Sequence, residues 1–461
     1  MLDAEESHRT KGLLRLTMAC NERCPFCNVP MEDYPQRHTP EPELRAQIAA
    51  FAEGAERTLT ISGGEPTLLR DRLLWAVREA RASGIELVEL QTNAVLVDEG
   101  YARDLKEAGL TSAFVSLLSS VGSEHDTLAG LDGAFAPCLR GIDALLDAGV
   151  RVTLNPVFAS LTQARVPDYV RFVGARLPRV RSISLSAVQP HGRAAKALSL
   201  LPDYAVLGAA VKEAQARAAE LGIELLNPYC GLPLCVGWEQ ALDRSVEAIE
   251  ARAAPSLEQA PGVDNRGDKR HGPQCGRCVL RARCGGAWHA YWDERGGSGI
   301  APPREHFDPF SGEPPSAMEA VVDAPRLETQ TLEDLARATQ PTVWLRLGAL
   351  AEGDGARLAD SACTHLALAL RPDDLRPGAL AFEELQILDR SRRALPPQRH
   401  VRVCLGLRPA GLRAVHRAVF AASAVGVSQL LILSRDAQRW EPLLRALREE
   451  LPALELARVE P

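Results

Sequence analysis

Strand-like and helix-like segments alternate through the first two hundred residues of the chain. The helix-like stretches end near glycines, and glycine is a common C-terminal stop for a helix. Short strands that alternate with helices form a parallel sheet with right-handed crossovers. Six such units, fewer than the eight of a closed barrel, predict an α/β fold with a partial (β/α)6 barrel. The predicted strands are residues 12–18, 58–62, 87–92, 113–118, 150–157 and 182–188.

The composition is that of an ordinary globular protein with more than one domain. The 461 residues are 46% apolar and 25% charged, with a formal net charge of −7. A single core rarely grows beyond about 250–300 residues, so two or three domains are expected. No basic run indicates a nucleic-acid partner, and no long apolar stretch indicates a membrane span. The polar, acidic start does not resemble a signal peptide, so we expect a cytoplasmic location.

Three cysteines lie within eight residues directly after the first predicted strand. Cys20, Cys24 and Cys27 are separated by three and two residues. Three thiolates this close can hold three irons of a 4Fe–4S cube and leave the fourth without a protein ligand. Structural zinc fits less well, because it needs four ligands. The odd total of eleven cysteines argues against disulfides and for metal binding under reducing conditions.

A glycine pair ends the second predicted strand. The motif Gly63-Gly64-Glu65-Pro66, together with the cysteine triplet and the aromatic Phe26 before its last cysteine, resembles the radical S-adenosylmethionine (SAM) superfamily. The resemblance implies the same six-unit barrel and a 4Fe–4S cluster on Cys20, Cys24 and Cys27 whose open iron binds SAM. The positions that it implies for cofactor contacts are Phe26, Gly63, Gly64, Glu65, Pro66, Thr92, Ser116 and Asn155.

Some of these positions have a simpler interpretation. Polar residues often cap buried strands, which is the alternative for Thr92, Ser116 and Asn155. His125, in the stretch after the fourth strand, is either a metal ligand or, as we favour, a hydrogen-bonded loop histidine. Cys138 stands alone in a helix-like segment and is expected in the core.

A second group of five cysteines lies between residues 230 and 284. Their spacing alone fits either zinc or iron. After a barrel of this type they resemble the auxiliary-cluster domains called SPASM and twitch. Trp288 stands where the SPASM pattern has a further cysteine, and five thiols are too few for two clusters. The resemblance therefore implies one auxiliary 4Fe–4S cluster on Cys275, Cys278, Cys284 and Cys235, with Cys230 as the alternative fourth ligand.

The predicted domain order follows from these motifs. It is a barrel at 1–222, an auxiliary-cluster domain at 223–300, a proline-rich linker at 301–341 and an α/β domain at 342–461. Cys363 and Cys404 in the last domain are expected to be buried. This domain could be a worn repeat of half the barrel, although ordinary α/β patterning explains it equally well. Its role cannot be predicted from these residues.

The family resemblance implies reductive cleavage of SAM to a 5′-deoxyadenosyl radical that abstracts hydrogen from a substrate. The favoured substrate is a ribosomally made peptide that is modified oxidatively, for example by a crosslink or thioether. A small molecule in cofactor, tetrapyrrole or sugar biosynthesis is the alternative. An electron donor such as flavodoxin or ferredoxin is the expected protein partner. A non-catalytic iron–sulfur or zinc scaffold is the alternative from another class.

Overall fold

The computed structural model consists of two compact units. The first is Met1–Gln274 with Cys284–Ala301, and the second is Cys275–Arg283 with Pro302–Pro461. No helix among the residues described below is long and apolar enough to cross a membrane. The described residues are 11–29, 37–53, 58–228, 231–246, 248, 268–276, 278–303, 315–359, 361–370, 402–408, 411–452 and 454–459.

The first unit contains a seven-stranded sheet whose strands pair in parallel and in chain order. This arrangement confirms the predicted α/β fold with parallel strands. The strands are β1 (Lys11–Thr17), β2 (Thr58–Gly63), β3 (Leu87–Thr92), β4 (Ser112–Val115), β5 (Arg151–Leu154), β7 (Ser182–Ser184) and β9 (Glu224–Leu226), with β6 (Val157–Phe158) and β8 (Ser186–Ala187) forming a separate parallel pair.

Helices connect these strands and cover the sheet with apolar side chains. They are α1 (Glu41–Glu53), α2 (Arg70–Ala82), α3 (Glu99–Ala108), α4 (Gly122–Ala129), α5 (Phe135–Asp147), α6 (Val166–Arg176) and α7 (Tyr204–Leu221). α3 shows why they begin and end where they do. The side chain of Asp98 caps the first turn by accepting from Tyr101 N, and Gly109 ends the helix at φ 108°, which glycine adopts without strain.

Two predicted strands are each split in the structure, and a seventh strand extends the sheet. Residues 150–157 break after Leu154, and residues 182–188 break after Ser184. Beyond the breaks the backbone changes partner, since Ser186 N donates to Pro156 O while Leu185 N donates to Leu226 O. Leu226 belongs to β9, which pairs with β7. β9 therefore belongs to the sheet of the barrel, although residues 223–300 were predicted as the auxiliary-cluster domain.

The remaining elements of the first unit follow residue 267. A short antiparallel pair is formed by β10 (Lys269–Arg270) and β11 (Ala287–Trp288), and it is followed by α8 (His289–Arg295). The ring of Tyr291 on α8 stacks on that of Tyr204 at the start of α7, with centroids 3.7 Å apart. Tyr291 Oη also accepts a hydrogen bond from Tyr204 N. These contacts attach α8 to the barrel helices.

The second unit is a six-stranded sheet in which all pairs are again parallel and in chain order. Its core includes buried side chains from the strands and from the helices that cover them. The strands are β12 (Glu319–Ala324), β13 (Thr342–Leu347), β14 (His365–Leu370), β15 (Arg402–Leu407), β16 (Gln429–Leu433) and β17 (Glu455–Val459), and the helices are α9 (Thr329–Arg337), α10 (Asp354–Ala359), α11 (Leu412–Ala424) and α12 (Ala437–Glu450).

The linker prediction does not hold for residues 319–337. This stretch contains β12, which pairs with β13, and α9, which begins with a capping box between Glu328 and Thr331. The prolines on either side of this stretch give the whole region the composition of a linker, so a short strand within it is not apparent from composition. The buried positions predicted for Cys363 and Cys404 are confirmed, with exposed fractions of 5% and 0%.

Candidate active site

The cysteine triplet lies on the loop that follows β1. Cys20, Cys24 and Cys27 are each partly buried, and Cys27 N donates to Cys24 O at 3.2 Å. Cys20 Sγ accepts a hydrogen bond from Glu22 N at 3.4 Å, whereas the Cys24 thiol donates to Glu22 Oε2 at 3.5 Å. The loop therefore turns tightly enough for backbone groups within it to hold its sulfur atoms.

The glycine pair at the end of β2 packs directly on this loop. Gly64 N donates to Thr17 O at 2.6 Å, and Glu65 N donates to Ala19 O at 2.8 Å. Gly63 has φ 133°, and a Cβ on Gly63 would collide with Thr17 O, whereas a Cβ on Gly64 would collide with Ala19 O. Only glycine permits this approach of two backbones. The structure thus brings together the two motifs that the sequence placed at neighbouring strand ends.

Two other segments hold the cysteine loop, one at the end of α4 and one after β8. Arg23 N donates to Ala129 O at 2.9 Å, and Arg193 N donates to Cys27 O at 3.0 Å. The Arg193 guanidinium also donates to Cys24 O at 3.3 Å. Gly192, which precedes it at φ 55°, has no room for a Cβ beside Cys27 O. Sequence reasoning missed Arg193, because nothing local distinguishes it from the other arginines of the chain.

Glu65 is buried, with an exposed fraction of 1%, and its carboxylate joins β2 to β3. Oε1 accepts from Thr67 N at 3.0 Å, from Thr67 Oγ1 at 2.5 Å and from Thr92 Oγ1 at 2.7 Å. Oε2 accepts from Asn93 N at 2.8 Å. Burial raises the pKa of Glu65, and the donors from Thr67, Asn93 and Thr92 oppose that rise. Both oxygens of the carboxylate accept hydrogen bonds from protein groups, so Glu65 and Thr92 hold the ends of β2 and β3 in place.

The strand-end backbone is strained next to this network. Ala94 has φ 58°, the one positive φ among the non-glycine residues that the structure describes. Its N–H donates to Thr92 Oγ1 at 2.9 Å, and Asn93 Nδ2 donates to Asn21 Oδ1 in the cysteine loop at 2.8 Å. Strain of this kind persists where surrounding contacts hold it, often at functional sites.

Ser116 and Asn155 occupy the next strand ends. Ser116 N donates to Thr92 O, and Asn155 N donates to Val115 O. The Asn155 amide donates to Ser184 O and to Ser186 Oγ, both at 2.8 Å. Its Oδ1 and the Ser116 hydroxyl make no hydrogen bond within the described part of the chain. These two groups are available to a ligand at the carboxyl edge of the sheet.

Phe26, His125 and Cys138 lie around the site without entering it. Phe26 packs against a cluster of buried apolar side chains that includes Leu118 and Val188. His125 is buried in α4 and accepts from Leu118 N at 3.1 Å through Nδ1, as favoured for a hydrogen-bonded histidine. Burial lowers its pKa to about 4. Cys138 is fully buried in α5, so the core position predicted for it is confirmed.

Buried polar groups surround the triplet. Burial raises the pKa of Cys20 to about 12 and raises that of Cys24 as well. Burial also raises the pKa of Glu22 to about 7. Asn21 Nδ2 and Glu22 Oε1 are buried and lack a hydrogen-bond partner in the described structure. A polar group bound at this loop would satisfy them, since buried polar atoms normally find partners.

The loop offers the donor type that iron–sulfur clusters take from a protein. Three of the eight residues 20–27 are cysteines, and all three are partly buried. In a 4Fe–4S cube each thiolate binds a different iron, so three thiolates leave one iron without a protein ligand. Three thiols on one glycine-braced loop therefore fit the implied cluster.

The second cysteine group is divided between the two units. In the first unit, Cys284 Sγ accepts from Gly286 N at 3.3 Å, and its carbonyl oxygen lies 2.8 Å from His271 Nε2. Cys235, also in the first unit, is partly buried. In the second unit, Cys278 Sγ accepts from Leu280 N at 3.3 Å, and Cys278 N donates to Cys275 O. Cys230 lies outside the described residues.

Trp288, which stands where a further cysteine was sought, is buried in β11. The Lys269 ammonium lies 4.8 Å from the centre of its ring. The His191 ring meets it edge-on, with centroids 5.0 Å apart, and His191 Nε2 is 3.6 Å from Asp268 Oδ2. Trp288 therefore packs next to His191, which directly precedes the Gly192-Arg193 segment that holds the cysteine loop.

Comparisons with known proteins agree with this geometry. Residues 14–173 match the family model described as "Radical SAM superfamily". GTP 3′,8-cyclase of Synechococcus sp. (strain CC9605) is 36% identical over 140 residues, which cover 28% of this chain and 40% of that protein. Fe-coproporphyrin III synthase of Methanosarcina barkeri (strain Fusaro / DSM 804) is 33% identical over 141 residues, covering 30% and 35%.

Among solved structures, Streptococcus suis SuiB bound to S-adenosylmethionine is similar at 17% identity and a TM-score of 0.39. The similarity covers 48% of this chain and 50% of that one. The chain spans less than half the length of the two curated relatives, and the matched region is the barrel in which the cysteine loop lies.

Proposed function

Since residues 14–173 place this chain in the radical SAM superfamily, we propose that it reductively cleaves SAM and abstracts hydrogen from a peptide substrate. Membership implies a 4Fe–4S cluster and SAM as cofactors. When bound, these groups supply an electron and a 5′-deoxyadenosyl radical. The protein's own residues bind and orient the reactants and exclude water.

The observation that carries this proposal is the packing of the two motifs on each other. Gly64 N and Glu65 N donate to the backbone on either side of Met18, immediately before Cys20. The cysteine loop and the end of β2 therefore form one rigid surface at the carboxyl edge of a parallel sheet, where such folds place their chemistry. We assign cluster ligation to Cys20, Cys24 and Cys27.

The cofactor would lie along the strand ends beyond the loop. Glu65 and Thr92 already use their side chains within the protein, so their contribution is to position the backbone of residues 63–65 and 92–94. Ser116 Oγ and Asn155 Oδ1 are the polar groups that remain for direct contact. Phe26, backed by apolar side chains, would shield the cluster from water, and Pro66 starts the short helical turn Pro66–Leu69.

The auxiliary cluster is a separate part of the proposal. Cys278 and Cys284 each accept a hydrogen bond from the backbone N–H two residues later, as Cys20 does. Hydrogen bonds to cysteine sulfur are one of the means by which proteins tune iron–sulfur clusters. This shared geometry supports Cys278 and Cys284 as ligands, and the cysteine spacing and the family resemblance add Cys275 and, as the fourth ligand, Cys235. An auxiliary cluster would accept an electron from a product radical and make the net reaction oxidative.

The first experiment tests radical chemistry itself. Anaerobically reconstituted and reduced protein should form 5′-deoxyadenosine from SAM. Replacing Cys20, Cys24 and Cys27 by Ala should abolish this product, while Cys363→Ala, a buried cysteine of the other unit, should retain it. Reconstituted wild type with full iron but without 5′-deoxyadenosine would support the scaffold alternative and refute catalysis.

The second experiment tests the substrate class. A short peptide encoded beside the gene should accelerate 5′-deoxyadenosine formation and lose two hydrogen atoms for each bond formed, as mass spectrometry would show. GTP is the small-molecule control, because a relative is named as a GTP cyclase. Conversion of GTP, with the peptide unchanged, would refute the peptide proposal and favour a small-molecule substrate. A flavodoxin or ferredoxin is the proposed electron donor for either substrate.

The third experiment counts clusters. One radical SAM cube and one auxiliary cube predict about eight irons per chain. Cys235→Ala should lower the iron content more than Cys230→Ala does. Equal iron content and turnover in Cys235→Ala and wild type would transfer the ligand role to Cys230. About four irons with one zinc would refute the auxiliary cube.

A further inference from the structure

A cavity of about 510 Å³ opens in the second unit at the carboxyl edge of its parallel sheet. Its lining includes Arg408, which follows β15, and Ser434 and Arg435, which follow β16. Arg439 and Trp440 from the first turns of α12 complete its wall. In open α/β sheets, ligands bind in crevices outside the carboxyl ends of the strands. The cavity therefore lies where this kind of fold binds small molecules.

The cavity carries positive charge that the protein does not neutralise. Arg408, Arg435 and Arg439 are exposed, and their guanidinium groups form no ion pair with any described carboxylate. Among the described residues of the lining, Asp436 is the one acidic residue. Its Oδ1 is engaged as the cap of α12, accepting from Arg439 N at 3.0 Å. Three guanidinium groups against one carboxylate leave an excess of two positive charges, in a chain whose formal net charge is −7.

Ser434 adds a fixed hydroxyl to this charged wall. Its Oγ accepts from Trp440 Nε1 at 3.1 Å and from Asp436 N at 3.2 Å. Both lone pairs are thereby occupied, and the hydroxyl proton is left to donate to a ligand. Trp440 is buried, so it holds the serine oxygen in place. The Arg439 guanidinium lies 4.9 Å from the centre of the Trp440 ring, which limits the movement of that arginine as well.

We propose that this cavity binds the phosphate group of a small phosphorylated ligand. Guanidinium groups present paired N–H donors that match phosphate oxygens, and a hydroxyl donor complements them. The cavity also adjoins the N-terminus of α12, and the positive end of a helix dipole favours an anion. The site belongs to the second unit alone, and the inference does not depend on the radical chemistry proposed for the first.

Isothermal titration of the full-length, cluster-loaded protein with inorganic pyrophosphate tests the inference. Wild type should bind saturably. Arg435→Gln and Arg439→Gln should each weaken binding about tenfold, since each removes a charge-assisted contact. Arg445→Gln is the matched control, because Arg445 is exposed two turns further along α12 and its loss changes the net charge equally. Binding by this control should stay within about twofold of wild type.

Three outcomes would overturn the proposal. The first is that pyrophosphate fails to saturate wild type at millimolar concentration. The second is that Arg445→Gln loses as much affinity as the cavity variants. The third is that citrate binds as tightly as pyrophosphate, which would make the site a general carboxylate site. Circular dichroism spectra and melting temperatures equal to those of wild type would show that the variants are folded, and Ser434→Ala provides an uncharged variant whose weaker binding the proposal also requires.

Discussion

Replacing Glu65 by Gln should loosen the connection between β2 and β3 that supports the cysteine loop. The Glu65 carboxylate accepts four hydrogen bonds while almost fully buried. The glutamine amide has only one oxygen. If this oxygen keeps the bonds from Thr67 and Thr92, the NH2 group replaces the oxygen that accepted from Asn93 N, and the Asn93 N–H loses its acceptor. A buried N–H that loses its acceptor costs about 1–3 kcal/mol. For a domain of this size, that corresponds to a fall in melting temperature of about 2–12 °C.

Thermal unfolding of the metal-free protein, followed by circular dichroism, measures this loss directly. Glu107→Gln is the matched control, because it makes the same chemical change at an exposed site on α3. The SAM dissociation constant of the reconstituted variant gives a second readout, since Asn93 also bonds Asn21 in the cysteine loop. We expect weaker SAM binding for Glu65→Gln alone. Equal melting temperatures for the two variants would refute the role assigned to this carboxylate.

Three further changes have defined outcomes. Gly64→Ala should abolish SAM cleavage because its Cβ would meet Ala19 O, whereas Gly100→Ala in α3 should not; retained activity would contradict the close approach. Burial lowers the pKa of His125 from about 6.5 to about 4, so the free energy of unfolding should fall by about 3 kcal/mol as the pH falls from 6.5 towards 4. His125→Gln should flatten this pH dependence of the free energy of unfolding, measured by urea titration, and an unchanged pH dependence would refute the prediction. Arg193→Gln should lower iron retention during gel filtration, because the side chain bonds Cys24 O; retention equal to wild type would exclude this role for Arg193.

The strand order and the meeting of the two motifs could be predicted from the sequence. Parallel strands linked by helices bring their carboxyl ends to one edge, so a motif after β1 and a motif after β2 must become neighbours. This topological argument needs no knowledge of side-chain contacts. Cys20 and Gly63 can therefore be predicted as neighbours from the order of the strands alone.

Contacts between distant parts of the chain could not be predicted in the same way. Arg193 holds the cysteine loop because the turn at Gly192, which follows β8, lies next to Cys27. The hydrogen bonds of the Glu65 carboxylate to Thr67, Thr92 and Asn93 are likewise not visible in the sequence. β9 and β12 lie at the edges of their sheets, and an edge strand is identified by the strand it pairs with more than by its own sequence pattern.

Hydrogen bonds to the cysteine sulfur atoms bear on which thiols can bind a metal. Cys20, Cys278 and Cys284 each accept a backbone N–H from two residues later, and such bonds favour the charged thiolate that a metal binds. The Cys24 thiol instead donates to Glu22 Oε2, as the buried thiols of Cys363 and Cys404 donate to His365 O and to Gln429 Oε1. Because a metal binds the thiolate, Cys24 must lose its proton and this contact with Glu22 when it ligates iron. The accepting sulfurs therefore support three of the proposed ligands, whereas Cys24 is assigned from its spacing and from the resemblance alone.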